Sequence, residues 1–274
     1  MTLATLTEVL QPALKHGYAV AGLVCLGWED MCAYVEAAEA ENVPVILQAG
    51  PGCREHTPLP VLGKMFLHLA EQATVPVVAH LDHGHSLQEC KEALDSGFTS
   101  LMYDGSRKPL NQNIDETAAV AELAHAASVS CEGEIGFVGY ADGEESAGTN
   151  PEEAAHFASA TRVDAMAVSV GNVHLQTEKS DGLDKGRVLA IQQLTDVPLV
   201  IHGGSGVPAG QRQDFARNTN ICKYNVGTEL RMAFGAALRQ AIKKDKEQFD
   251  RIKLLKQTHA SVFDAARSVL QSVR

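Results

Sequence analysis

No apolar stretch in this chain of 274 residues approaches the ~20 residues needed to cross a bilayer as a helix, so no membrane span is expected. Residues 1–17 (MTLATLTEVLQPALKHG) lack the basic leading segment and apolar centre of a signal peptide. Leu6, Val9, Leu10, Ala13 and Leu14 recur there at helical spacing instead, which predicts a short amphipathic helix docked on the body of the fold. Positive charge is scarce: 23 Lys and Arg against 34 Asp and Glu give a formal net charge of −11. A nucleic-acid partner is therefore not expected, because an acidic surface repels a phosphate backbone. Small anionic substrates stay compatible with that charge where backbone amides bind them locally. The six cysteines form no CxxC pair and no regular framework, which reads as reduced thiols in a cytoplasmic protein, most of them small buried hydrophobes. No linker rich in Pro, Gly or Ser divides the chain, so residues 1–274 are expected to form a single domain.

What the sequence does contain is one repeated rhythm. Short β-branched apolar runs end in a polar residue or glycine, and a helical pattern follows each. The runs cover residues 18–24, 44–48, 76–82, 99–104, 129–134, 163–170, 198–202 and 221–226. Eight such units, continuously apolar as strands buried on both faces are, predict an α/β fold of the (β/α)₈ (TIM) barrel type. Helix signals fill the gaps. Ser86 and Glu89 form a capping box with Gly97 as the stop, residues 111–127 carry an apolar stripe, and Asn150-Pro-Glu-Glu153 supplies a cap, a first-turn proline and acids. Residues 228–274 extend the pattern beyond a minimal barrel as extra C-terminal helices, and the polar, glycine-rich residues 135–149 predict a mobile loop over the site.

Chemistry in such barrels sits at the C-terminal ends of the strands. Those ends carry His80, Asp82, His83 and His85 on the third run, Asp104 on the fourth and Glu134 on the fifth. His174 lies just past the sixth, His202 ends the seventh and Asn225 the eighth. His83, His174 and His202 could converge on one ion, since neutral imidazoles suit zinc and three protein ligands leave a position open. Any one of them alone is equally well read as a hydrogen-bonded strand-end histidine; three on different strands are harder to explain that way. His80 is read as a hydrogen-bonding support and His85 as a surface residue. The glycines of His202-Gly-Gly-Ser-Gly206 let amides approach an anion, with Ser205 as a further donor. Asn225-Val-Gly-Thr228 opens the next helix with amides, a hydroxyl and a positive dipole end.

These features resemble the class II (zinc-dependent) fructose-bisphosphate and tagatose-bisphosphate aldolases over nearly the whole chain. The matching blocks are His80-Leu-Asp-His-Gly84, Leu101-Met-Tyr-Asp-Gly-Ser106, Glu132-Gly-Glu-Ile-Gly136, Thr149-Asn-Pro-Glu-Glu-Ala154, Gly171-Asn-Val-His174, His202-Gly-Gly-Ser-Gly206 and Asn225-Val-Gly-Thr-Glu-Leu-Arg231. The resemblance implies a lyase cleaving a sugar phosphate, assembled as a homodimer or homotetramer. It implies His83, His174 and His202 as zinc ligands and Asp82 as the acid/base at the substrate hydroxyl. Glu134 is implied as an alternative metal partner, and Asp104 as lining a secondary cation site. Gly203, Ser205, Asn225, Gly227 and Thr228 are implied to hold the ketose end and its phosphate, with a monovalent cation nearby. A carboxylate in the mobile loop would be the second base, and Asp142 falls near that place, with Glu144 and Glu145 close by.

The sequence also departs from the family's pattern. Leu175 follows the sixth-run histidine where the family has glycine, Gly50 replaces a serine near the second run, and Val24-Cys-Leu-Gly-Trp28 replaces an asparagine-rich end of the first. These changes predict altered donor-substrate or phosphate contacts. Other readings are a metal-dependent hydrolase using His83-Gly-His85, a Schiff-base aldolase using Lys223, and a catalytically inactive accessory or sugar-phosphate-binding subunit.

Overall fold

Each apolar run becomes a strand of one parallel sheet that closes on itself. The protein is described by a computed structural model covering residues 2–141, 143–180 and 182–274. In chain order the elements are β1 (Leu3–Ala4), α1 (Leu6–His16), β2 (Val20–Val24), α2 (Trp28–Glu41), β3 (Val45–Ala49), α3 (Pro51–His56), α4 (Leu59–Gln72) and β4 (Val77–Gly84). There follow α5 (Leu87–Asp95), β5 (Ser100–Tyr103), α6 (Leu110–Ala126), β6 (Ser130–Ile135), α7 (Pro151–Thr161), β7 (Ala165–Val168), α8 (Lys185–Gln192) and β8 (Leu199–Ile201). A 3₁₀ turn (Gly204–Gly206), α9 (Ala209–Asn218), β9 (Ile221–Val226), α10 (Thr228–Lys244), α11 (Arg251–Lys256) and α12 (His259–Ser272) complete the chain. Strands β2 to β9 pair in sequence order, β9 returns to β2, and every pairing is parallel. This is the expected TIM barrel, and α12 is the expected C-terminal addition, burying Val262, Ala266, Val269 and Leu270.

The predicted N-terminal helix has a specific job. β1 pairs with the start of β4, before β5 joins it at His80, and delivers α1 across the N-terminal end of the barrel. There Leu6, Val9, Leu10 and Ala13 form one apolar cluster with the inward residues Val20, Ile46, Val78, Ala167 and Val200. Above this apolar floor the barrel interior turns polar. His80, Glu132, His202 and Lys223 are fully buried there, and the layer above them opens to the C-terminal rim.

Two local details differ from the sequence expectation. Ser86 does cap α5 by accepting the Glu89 amide, but Glu89 does not reach back to the Ser86 amide. Its carboxylate accepts the His85 amide and pairs with Arg54 instead, so only half of the capping box forms. Strand β7 is shorter than the 163–170 run, because Ser169 to Gly171 leave the sheet to begin the turn that carries His174.

Candidate active site

The site begins with an irregularity in β4. Asp82 and His83 are neighbours, and in a regular strand their side chains would point to opposite faces. Between Leu81 and Gly84 the register against β5 slips by one residue, and His83 takes a left-handed φ of 52°. This bulge turns both side chains toward the rim. Gly84 permits it, since a Cβ there would lie 2.7 Å from the Met102 carbonyl oxygen. Arg54 of α3 fastens it by donating to the carbonyls of Ala49, Asp82 and His83 at 2.5, 2.6 and 2.9 Å.

Three histidines converge as expected. Their ring centroids lie 4.6 Å (His83–His202), 5.4 Å (His83–His174) and 5.7 Å (His174–His202) apart, and one nitrogen from each lies within 4.8 Å of the others. His174 is reached through a turn that Asn172 ties to the Val168 and His202 carbonyls. The loop after β6 steadies it, with the Gly139 carbonyl accepting the His174 amide and Tyr140 stacked on the ring at 5.0 Å. Burial and the charge of His83 push His174 down to about 3, so its imidazole is neutral.

A buried chain of contacts sets the tautomer of His202. Lys223 lies 2.6 Å from Glu132 Oε2 and donates to His80 Nε2 at 3.2 Å. His80 must then donate through Nδ1 to Ser100 Oγ, 2.8 Å away. Burial opposes ionisation of Glu132, but Lys223 and the His202 hydrogen bond outweigh it and hold the carboxyl below its usual range. Glu132 Oε1 therefore accepts from His202 Nε2 at 3.1 Å. Burial keeps His202 neutral, so Nδ1 carries a bare lone pair. That atom is buried with no hydrogen-bond partner among the described residues, and so is Glu134 Oε2, 3.4 Å from it. Buried acceptors without partners are costly, and a cation between them satisfies both.

His83 completes the set. Its Nδ1 lies 2.7 Å from Asp104 Oδ2 and 3.7 Å from Glu134 Oε2. Burial disfavours its charge, but Asp82, Asp104 and Glu134 outweigh that and push it up to about 10. Glu134 moves the other way, since burial and then Asp104 raise its carboxyl well above the usual range. A second donor group, His83 with Asp104 and Glu134, shares His83 with the first, so Asp104 lies beside the three-histidine cluster. The donor chemistry fits a divalent metal that prefers nitrogen.

Asp82 faces this centre. Its Oδ1 accepts from Gln48 at 2.9 Å and Asn225 at 3.1 Å, while Oδ2 points toward Gly50, where a Cβ would sit 3.3 Å away. Burial works to raise its pKa, but His83 and the other positive neighbours hold it below the usual value, so the free oxygen is an anionic base. A cavity of about 300 Å³ opens above, lined by Asp82, His83, His174, Gly203, Ser205, Asn225, Gly227 and Thr228, and also by Gly50, Tyr140 and Leu175. The anion-binding residues expected from the sequence are thus brought together with the metal-type residues. His85 also reaches the cavity rim while remaining exposed. Leu175 takes a left-handed φ of 58°, the backbone conformation that favours glycine. Gln176 lies over Gly206, where a Cβ would come within 1.7 Å of its Oε1.

Asp142 lies outside the described residues. Glu144 is exposed and held by Arg107 at 2.5 and 2.6 Å. Lys223, the Schiff-base candidate, is not in the cavity wall but in the buried layer beneath it. Sequence reasoning gave no role to Gln48, Arg54 and Tyr140, and it named Glu132 and Asn172 only within matching blocks. Glu132 had a legible signal: it lies two residues before Glu134, so both face the barrel interior. Arg54 had none, because the carbonyl groups it holds carry no side-chain signature and its ion-pair partner Glu89 lies 35 residues away.

The profile of the family described as "Fructose-bisphosphate aldolase class-II" matches residues 4–274. A fructose-bisphosphate aldolase of Geobacillus stearothermophilus is 37% identical over 262 residues, covering 93% of this chain and 91% of that protein. A 6-phospho-5-dehydro-2-deoxy-D-gluconate aldolase of Shouchella clausii is 37% identical over 270 residues, covering 96% and 91%. Among solved structures, the YdjI aldolase of Escherichia coli K12 superposes with a TM-score of 0.86 at 29% identity, covering 99% of this chain and 97% of that one.

Proposed function

Because the chain belongs to the class II fructose-bisphosphate aldolase family of lyases, we propose that it cleaves a ketose phosphate in a reversible retro-aldol reaction. The products are a ketone of the dihydroxyacetone phosphate type and an aldehyde. In this reading His83, His174 and His202 hold a zinc ion, with Glu134 as an alternative ligand and Asp104 orienting His83. Zinc bound there supplies a Lewis acid beside the ketone, where the electron pair of the breaking carbon–carbon bond is delivered.

The observation that carries the reading is the Asp82 carboxylate. One oxygen is fixed by two amide groups, and the other has no hydrogen-bond partner among the described residues and faces the cavity beside the histidines. Retro-aldol cleavage needs a base at the hydroxyl whose carbon–carbon bond breaks, and Asp82 Oδ2 accepts that proton. Gly203, Ser205, Asn225, Gly227 and Thr228 orient the ketose end, with backbone amides and the start of α10 facing its phosphate, alone or with a monovalent cation. The proposal includes a cytoplasmic location, consistent with six unbridged cysteines, and a homodimer or homotetramer.

The two relatives at 37% identity bear the names of different substrates, so the proposal stops at the class of ketose phosphates. Leu175 at the rim and Gln176 over Gly206 favour donor contacts that differ from the family's usual ones. The free oxygen of Asp82 weighs against a purely binding role, which needs no base. Metal analysis of the purified protein, with a screen against ketose mono- and bisphosphates and unphosphorylated ketoses, tests the proposal. Zinc near one per chain and chelator-sensitive cleavage of a phosphorylated ketose are expected. Zinc-loaded protein that cleaves none of them would favour a sugar-phosphate-binding subunit.

A further inference from the structure

We infer that Tyr140 is a positioning residue for the metal centre: its ring, delivered by the loop after β6, orients His174, whereas carboxylates orient the other two histidines. The inference rests on the zinc reading and ties the loop to it. His83 is held through Nδ1 by Asp104 at 2.7 Å, and His202 through Nε2 by Glu132 at 3.1 Å. Neither ring nitrogen of His174 has a hydrogen-bond partner among the described residues. A metal-binding histidine usually donates its second N–H to a carboxylate, carbonyl or water, which fixes the ring. His174 has an aromatic face in that place. The Tyr140 ring stacks on it at 5.0 Å, tilted by 27°, while His83 and His202 meet it edge-on.

The backbone makes this contact a property of the loop. The His174 amide donates to the Gly139 carbonyl at 2.8 Å and the Ala141 amide to the His174 carbonyl at 3.1 Å, so Tyr140 and His174 pair as a short parallel bridge. Gly139 is needed beside Tyr140, because a Cβ there would lie 2.0 Å from the Glu144 carbonyl oxygen. Phe137 and Ala147 exchange two backbone hydrogen bonds of 2.8 Å and close the loop into a hairpin. Arg107 anchors that hairpin, with its guanidinium 4.2 Å from the centre of the Phe137 ring and paired with Glu144. Ser146 ties it to the turn that carries His174, donating to the Asn172 carbonyl at 3.3 Å. A shift of the loop therefore carries His174 with it, while His83 and His202 stay with carboxylates that β5 and β6 position. By linkage, zinc held by His174 favours the ordered loop as much as the ordered loop favours zinc.

The test reads zinc affinity by competition with a chromophoric chelator, in wild type, Tyr140→Phe and Tyr140→Ala, each alone and combined with His174→Ala. Tyr140 is 40% exposed, so its truncation leaves the core intact. Tyr140→Ala should weaken zinc binding by about 3- to 10-fold, the scale of one aromatic pair. Tyr140→Phe keeps the ring and should retain wild-type affinity. With His174→Ala in place, Tyr140→Ala should have no further effect. Zinc should also slow cleavage by Glu-C protease after Glu144 and Glu145 in wild type and Tyr140→Phe, and do so less in Tyr140→Ala. Wild-type affinity and protection in Tyr140→Ala, an equal loss in Tyr140→Phe, or an equal loss with His174 already removed overturns the inference alone. A wild type that binds no zinc, or whose affinity His174→Ala leaves unchanged, overturns the zinc reading with it.

Discussion

Asp82 and Glu132 show how single carboxylates divide labour in this barrel. Asp82 keeps one oxygen free, and Asp82→Ala should lower turnover by at least ~100-fold while leaving zinc bound, because general-base catalysis contributes ~10²–10⁴. Steady-state cleavage rates alongside metal content check this; a variant that turns over normally would remove Asp82 from the chemistry. Glu132 touches no part of the cavity, yet it fixes the His202 tautomer and neutralises Lys223. Glu132→Gln should weaken zinc binding by about 10- to 100-fold, as loss of a ligand's hydrogen-bond partner does. It should also cost about 3 kcal/mol by leaving Lys223 buried and unpaired. Adding Lys223→Met should recover stability in urea denaturation without recovering zinc affinity. Recovery of both would mean that Glu132 acts only through folding.

Among the elements, the strands and the C-terminal helices were legible in the sequence, because continuous apolar runs and helical periodicity are local signals. The bulge in β4 was not, since it is defined by register against β5 and held by Arg54, 28 residues upstream of Asp82. The contact between Glu132 and Lys223 spans 91 residues and escaped for the same reason. Three histidines at strand ends could be read off one by one, but their convergence depends on barrel closure. The turn after β7 carries a further consequence of element geometry. Leu175 occupies a left-handed conformation that costs a branched side chain roughly 1–2 kcal/mol. Leu175→Gly should therefore raise stability by up to about 1 kcal/mol, the gain trimmed by glycine's freer unfolded state. If the leucine also restricts the phosphate approach, KM for the ketose phosphate should fall. Denaturation midpoints and KM together check this, and a destabilised variant with unchanged KM would show that Leu175 is kept for packing.

On the scale of the molecule, the apolar floor under α1 and the helix layer outside the strands carry the fold, and the charged layer sits between that floor and the rim. Zinc is then expected to stabilise a barrel that already exists, by about 4 kcal/mol at a thousandfold excess over Kd. The pH dependence follows from His83. Its pKa of about 10 in the metal-free protein means that it is protonated at neutral pH and must surrender a proton when zinc binds. Affinity should thus rise with pH up to that value, by about tenfold per unit for one displaced proton, and the zinc-induced rise in Tm should grow in parallel. Metal titrations from pH 6 to 9 check the sign, and an affinity flat over that range would contradict it. The most direct measurement is X-ray absorption at the zinc edge of the loaded protein. The account predicts a first shell containing three imidazole nitrogens at about 2.0–2.1 Å, and the loss of one of them in each of His83→Ala, His174→Ala and His202→Ala. A shell of sulfur, or one unchanged by any of the three substitutions, would contradict it.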